Sequence, residues 1–213
     1  MTRFARLSLL LLAGLLLATP VFAHQPFFEE KDITASTPWT IKNADISTVV
    51  YATLADSQDI DYFTFSGKAG QRVLLSLTIP QIEGQDDFAP LMALLGSGLD
   101  AANLPVAIVQ RPGEGALLLP PPAEATPFFE PFSRTSYLTR QETRVSLPAD
   151  GAYTVAVWHP DGRAGRYGFV IGDKERLGGD IAFGRKLKAY WTPVEQPASE
   201  QKPAWAGCGA RHR

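Results

Sequence analysis

The chain has 213 residues, 20 of them basic and 22 acidic, for a formal charge of −2, and a single cysteine, Cys208. With no basic surplus to neutralise phosphates, a nucleic-acid partner is argued against, and one cysteine leaves no internal disulfide to hold the fold together. Hydrophobic residues at 45% and aromatics at 10% suit a packed core, while 18 Gly and 17 Pro point to many turns between short elements.

Arg3 and Arg6 lead into Leu7–Ala18, a run of Leu, Ala and Gly with Ser8 as its one polar residue. This core is too short to cross roughly 30 Å of hydrocarbon as a helix. Thr19-Pro20 ends it, and Val21-Phe22-Ala23 supplies a cleavage site. Residues 1–23 therefore read as a signal peptide, with cleavage after Ala23, a mature chain opening at His24 and, in a bacterium, a periplasmic or secreted destination. Loss of Arg3 and Arg6 takes the formal charge to −4. No later stretch is long and apolar enough for a transmembrane helix.

Residues 24–47 are polar, acidic and broken by Pro26 and Pro38, and read as an extended leader packing on the domain. Val49–Leu54 reads as a strand, and Asp56-Ser57-Gln58-Asp59 as a turn. In Asp61–Ser66, Phe63 and Phe65 share one face, with Tyr62 and Thr64 on the other. After the turn Gly67-Lys68-Ala69-Gly70, the run Arg72–Ile79 puts Val73, Leu75, Leu77 and Ile79 on one face. The two runs read as an antiparallel hairpin.

Pro90–Leu95 is a further strand, and Val106–Val109 a candidate one. Leu117–Leu119 runs into three prolines, which cannot continue a central ladder. The span of about 81–140 reads as a proline-rich insertion. Alternation resumes in Thr143–Leu147, Ala152–Trp158 and Gly165–Gly172, so the sandwich spans 48–175. Ala182–Tyr190 has the pattern of a short basic amphipathic helix within 176–192, and 193–213 reads as a disordered tail. The whole predicts an all-β protein, an antiparallel jelly-roll-like β-sandwich.

Two segments, Ala52–Leu77 and Leu147–Gly172, carry Asp-Tyr-Phe-x-Phe and paired Gly-x-Tyr strands. In these the chain resembles bacterial pre-peptidase C-terminal domains, which include the collagen-binding domains of clostridial collagenases. The resemblance implies a jelly-roll sandwich. It also implies Ca²⁺ held by acidic residues of the leader and of the turn before the Asp-Tyr-Phe strand. The matching residues are Glu29, Glu30 and Asp32, with Asp59 and Asp61. Hard oxygen ligands converging from leader and turn are what Ca²⁺ requires. The alternative is a solvated acidic loop in which Asp59 merely caps its turn.

A second metal reading starts from the mature N-terminus. An N-terminal His24 offers an amine and an imidazole, a pair preferred by Cu²⁺, and His159 at the end of a strand would be the second imidazole. Against it, His159 suits a turn satisfied by backbone. For hydrolysis, Ser133, Ser136 and Ser146 lack a Gly-x-Ser-x-Gly elbow, and Asp86-Asp87 is a carboxylate pair on a loop. Phe27, Phe28, Phe128, Phe129, Phe132, Tyr137, Trp158 and Trp191 supply either an aromatic platform for a sugar or peptide or anchors for long loops. Pro-Phe-Phe-Glu occurs twice, at 26–29 and 127–130. Arg185, Lys186 and Lys188, with Tyr190 and Trp191, read as a solvated helix face, the alternative being contact with a membrane surface. The functional expectation is an exported, non-catalytic binding or structural module of the cell envelope. Its partner would be an extracellular or periplasmic protein or polysaccharide, and the alternative is a copper-binding protein.

Overall fold

The computed structural model describes residues 24–104, 108–131, 133–192 and 194. The expected signal peptide, the expected tail apart from Val194, and half of the candidate strand at 106–109 lie outside the described residues. Ile108 and Val109 are in no strand.

Among the described residues, eleven strands form two facing sheets. In chain order they are β1 (Gln25–Phe28), β2 (Trp39–Thr40), β3 (Thr48–Leu54), β4 (Ile60–Gly67), β5 (Arg72–Pro80), β6 (Leu91–Gly96), β7 (Gly115–Leu119), β8 (Thr126–Glu130), β9 (Thr135–Ser146), β10 (Gly151–Trp158) and β11 (Gly165–Ile171). A short helix, α1 (Phe183–Tyr190), follows. The six-stranded sheet runs β1-β3-β11-β5-β9-β8 and the five-stranded sheet β2-β4-β10-β6-β7. Pairing is antiparallel except at one edge of each sheet, where β1 lies parallel to β3 and β2 parallel to β4. The fold is an all-β sandwich.

The alternation read from sequence is the alternation of the core. Phe63, Phe65, Val73, Leu75, Leu77, Ile79, Val155 and Val157 are all buried in one cluster between the sheets. The strand partners differ from expectation. β4 and β5 do not pair as a hairpin: β4 bonds to β10 and β2, and β5 to β11 and β9. The Gly67–Gly70 turn instead carries the chain from one sheet to the other. The same holds for β10 and β11. A strand with one apolar face buries it equally well beside a neighbour or across from one, so alternation alone does not choose between them. Phe63 shows the outcome, its ring stacked on Phe169 of the opposite sheet with centroids 4.3 Å apart.

Residues 81–140, expected as an insertion, supply β6, β7, β8 and part of β9. β6 sits inside the five-stranded sheet, between β10 and β7. Met92 and Leu94 face the core, while Ala93 and Leu95 pack with Ala102, Leu104 and Ile108 on the outer side.

Both Pro-Phe-Phe-Glu copies are edge strands, at opposite ends of the six-stranded sheet. An edge tolerates a proline, which cannot donate to a second neighbour. Each closing glutamate accepts from the turn that follows: Glu29 Oε1 from Ile33 N at 3.3 Å, and Glu130 Oε2 from Ser133 N at 2.5 Å. The copies differ in cover. Phe28 is buried under α1, whereas Phe128 and Phe129 are exposed.

The leader closes the open side of the sandwich. β1 ends on the edge of one sheet and β2 begins on the edge of the other, so residues 29–38 cross between the layers. Ile33 is buried in the main core on the way, and Ile41 just after β2.

Candidate functional site

The acidic site forms where the leader makes this crossing. Glu29 directly follows β1, and its backbone N–H donates to Tyr51 O at 2.9 Å. Its Oε2 accepts from Thr53 N at 2.8 Å and, more distantly, from the Tyr190 hydroxyl at 3.5 Å. Asp32 lies in the crossing segment and is exposed. Asp61 is the second residue of β4 and continues the inward face of Phe63 and Phe65, so its carboxylate points between the sheets. It is fully buried. One carboxylate oxygen from each of Glu29, Asp32 and Asp61 lies within 4.8 Å of the others.

Asp61 has one satisfied oxygen. Tyr167, inward-facing on β11, donates its hydroxyl to Oδ2 at 2.5 Å. Oδ1 is buried without a hydrogen-bond partner among the described residues. Burial pushes the Asp61 carboxyl well above the usual range, and the nearby Glu29 and Asp59 add to this against the Tyr167 hydrogen bond. Burial likewise raises Glu29 from 4.5 to about 7, offset in part by the Thr53 and Ile33 amides and reinforced by Asp59 and Asp32. Anionic groups collected in a dry place without a counter-charge are costly. A divalent cation, or protons, removes that cost.

The five acidic residues expected at the ion divide. Glu29, Asp32 and Asp61 converge. Asp59 lies close enough to raise both Glu29 and Asp61, but its Oδ2 accepts from Ala55 N at 2.6 Å, closing its own turn. Glu30, its neighbour's side chain directed inward, turns out toward Lys186 at 2.9 Å. Three participants were not foreseen: Tyr167, Thr53 and Tyr190. Tyr167 was legible, since alternation places it on the same face as Phe169 and Ile171. Tyr190 belongs to another element and left no local signal.

The two histidines do not meet. His24 Nδ1 is bonded to Ser47 Oγ at the start of β3. His159 stacks on Phe88 with centroids 5.1 Å apart, and Phe88 packs at Gly165, which pairs with Leu54 at the far end of β3. The length of β3 separates them, on the order of 20 Å at about 3.3 Å per residue. The register thus places the two imidazoles toward opposite ends of β3. His159 is satisfied by its turn, Nδ1 accepting from Asp161 N at 3.2 Å and Arg163 N at 3.4 Å, and burial lowers its pKa. Of the loop carboxylates, Asp87 pairs with Arg163 at 2.9 Å.

A cavity of about 360 Å³ lies on the outer side of the six-stranded sheet, lined among others by His24, Pro26, Tyr51, Glu130, Ile181 and Phe183. An aromatic belt runs beside it: Phe128 stacks on Tyr137, Tyr137 meets Trp191 edge-on, Trp191 meets Tyr51, and Tyr51 stacks on Phe183. Most of the aromatics thus fix α1 and the β8–β9 hairpin to the sheet.

Fold and site together define a two-layered β-sandwich with three carboxylates, one of them fully buried, gathered where its leader crosses. No family model and no curated protein matches the chain. Among solved structures it is similar to the periplasmic inhibitor of g-type lysozyme PliG from Salmonella Typhimurium, at 17% identity and a TM-score of 0.35 over 70% of this chain and 99% of that one. It is also similar to the pre-peptidase C-terminal domain of collagenase from Bacillus anthracis, at 11% identity and a TM-score of 0.34 over 67% and 99%. A third is CorA of Methylomicrobium album BG8, a surface-associated copper-binding protein, at 10% identity and a TM-score of 0.33 over 71% and 99%.

Proposed function

We propose that the chain is an exported, non-catalytic β-sandwich module of the cell envelope whose leader is locked onto the sandwich by Ca²⁺. Glu29 and Asp32 of the leader and Asp61 of β4 hold the ion, with Asp59 adding negative charge beside it. The observation that carries this reading is Asp61: a fully buried carboxylate with Oδ1 unpartnered among the described residues, close to two carboxylates from another segment. The donor set is all oxygen, as a hard cation requires, with water or backbone carbonyls completing its shell. The ion binds only where leader and strand meet, so it stabilises the folded form by mass action, about 2.7 kcal/mol at a hundredfold excess over Kd. Export rests on the sequence of residues 1–23, and among the described residues no helix is long and apolar enough to cross a membrane.

The module's partner is a protein or a polysaccharide outside the cytoplasm. The exposed Phe128 and Phe129 on the outermost strand β8 support a contact surface there. The test of the ion is calorimetry and thermal melting of the chelated mature protein during Ca²⁺ titration. Binding heat with a rising melting midpoint is expected. No heat and no shift at millimolar Ca²⁺ overturns the assignment.

A further inference from the structure

We infer that helix α1 is a latch linked to the cation site, so that ion binding and helix docking strengthen each other. The inference rests on the reading that Glu29, Asp32 and Asp61 hold a divalent cation.

The latch is carried by contacts that end on the site's own residues. Tyr190, the last residue of α1, places its hydroxyl 2.8 Å from Thr53 Oγ1 and 3.5 Å from Glu29 Oε2. The Thr53 backbone N–H donates to that same Glu29 oxygen. Lys186, one turn earlier, bridges Glu30 at 2.9 Å and Asp180 at 2.6 Å. Arg166 lies over the Tyr190 ring, 4.5 Å from its centroid, and donates to Thr53 Oγ1 at 3.0 Å and to Thr192 O at 2.7 Å. Glu29 and Glu30 thus sit between ion and helix, so fixing Glu29 against an ion also fixes the acceptor that Tyr190 meets.

The helix is suited to two states. Eight residues are too few for a stable isolated helix. α1 has no side-chain cap and no acidic residue in its first turn. It is held by the burial of Phe183 and Leu187 against Phe28, Tyr51 and Val170. The approach to it is loosely covered, Leu177 being 87% exposed and Ile181 fully exposed. A weak element joined to a site by shared residues responds to occupancy, and the coupling is reciprocal. Released, α1 would uncover Phe28 and Tyr51 and open the 360 Å³ cavity that Phe183 helps to wall.

The test follows amide hydrogen exchange of residues 183–190 in the mature protein, with chelator and with Ca²⁺, using the core strand β10 as reference. Calorimetry of Ca²⁺ binding is run in parallel on the parent and on Tyr190→Phe. Ca²⁺ is expected to slow exchange in α1 by about 5-fold or more relative to β10, and Tyr190→Phe to lose most of this protection and weaken Ca²⁺ binding by a similar factor. Calorimetric binding with α1 exchange unchanged overturns the latch and leaves the ion site standing. Absence of any binding overturns both. Unchanged far-ultraviolet circular dichroism of Tyr190→Phe shows that the variant is folded.

Discussion

The Tyr167 hydroxyl donates to Oδ2 of Asp61 across the gap between the two sheets, leaving Oδ1 buried and without a partner among the described residues. Fixing one oxygen orients the other. The pair therefore predisposes the carboxylate for a ligand while making its charge costly in the ligand's absence.

This gives opposite signs for one substitution. In chelator at pH 8, Asp61→Asn removes a carboxyl that folding must either bury as a charge or protonate, and keeps an acceptor for Tyr167, so the melting midpoint rises, by about 2–4 °C for each kcal/mol gained. In saturating Ca²⁺ the same variant melts below the parent, because it has lost an ionic ligand. Thermal melts of both proteins in both conditions check this.

The pH dependence of the ion-free protein follows from Glu29. Its folded pKa of about 7 lies above the ordinary 4.5, so the folded state keeps a proton that the unfolded chain has released. Stability from this group is greatest below pH 4.5, falls as pH rises, and is lowest above about 7. Asp61, raised by burial, acts in the same direction. His159, lowered by burial, acts in the opposite one, its contribution being present above about 6.5 and lost as pH falls. The difference in unfolding free energy between the parent and Glu29→Gln, measured from pH 4 to 8 in chelator, isolates the glutamate. The parent is expected to lose stability relative to the variant as pH rises.

Ca²⁺ has to displace that proton. Its apparent affinity therefore rises between about pH 5 and 7 as Glu29 becomes ionised, and Asp61, also raised by burial, adds to the rise. Calorimetric titrations at three pH values, with proton release read from buffers of different ionisation heat, check the slope. A pH-independent affinity would remove Glu29 from the ion's ligands.

Copper, if bound through His24, is bound without His159. Replacing His159 with Ala leaves Cu²⁺ affinity of the mature protein unchanged, because its ring is engaged by its own turn at the far end of β3. A Cu²⁺ titration of parent and variant decides it.

In the core, Phe63→Ala removes a ring stacked on Phe169 across the sheets and costs about 3–5 kcal/mol in chemical denaturation. Phe128→Ala on the exposed edge strand costs well under 1 kcal/mol. Similar losses at the two sites would contradict the assigned burial.

Much of this protein is written locally. The period-two pattern of β4, β5 and β10 names the inward residues, because strand side chains alternate whatever the partner. It also places Asp61 on the inward face with Phe63 and Phe65. The short basic helix was legible in the spacing from 182 to 190. What the chain could not state locally was adjacency. Which strand lies beside another and which lies across depends on how all the apolar faces are buried together, so β4 and β5 could be read as a hairpin when they belong to opposite sheets. The site depends on such distant meetings: Glu29 on Thr53, Asp61 on Tyr167, Tyr190 on both strand and leader. Each pair is more than twenty residues apart, and only the closing of the sandwich by its leader sets Asp61 beside Glu29 while leaving Glu30 with Lys186 and His24 far from His159.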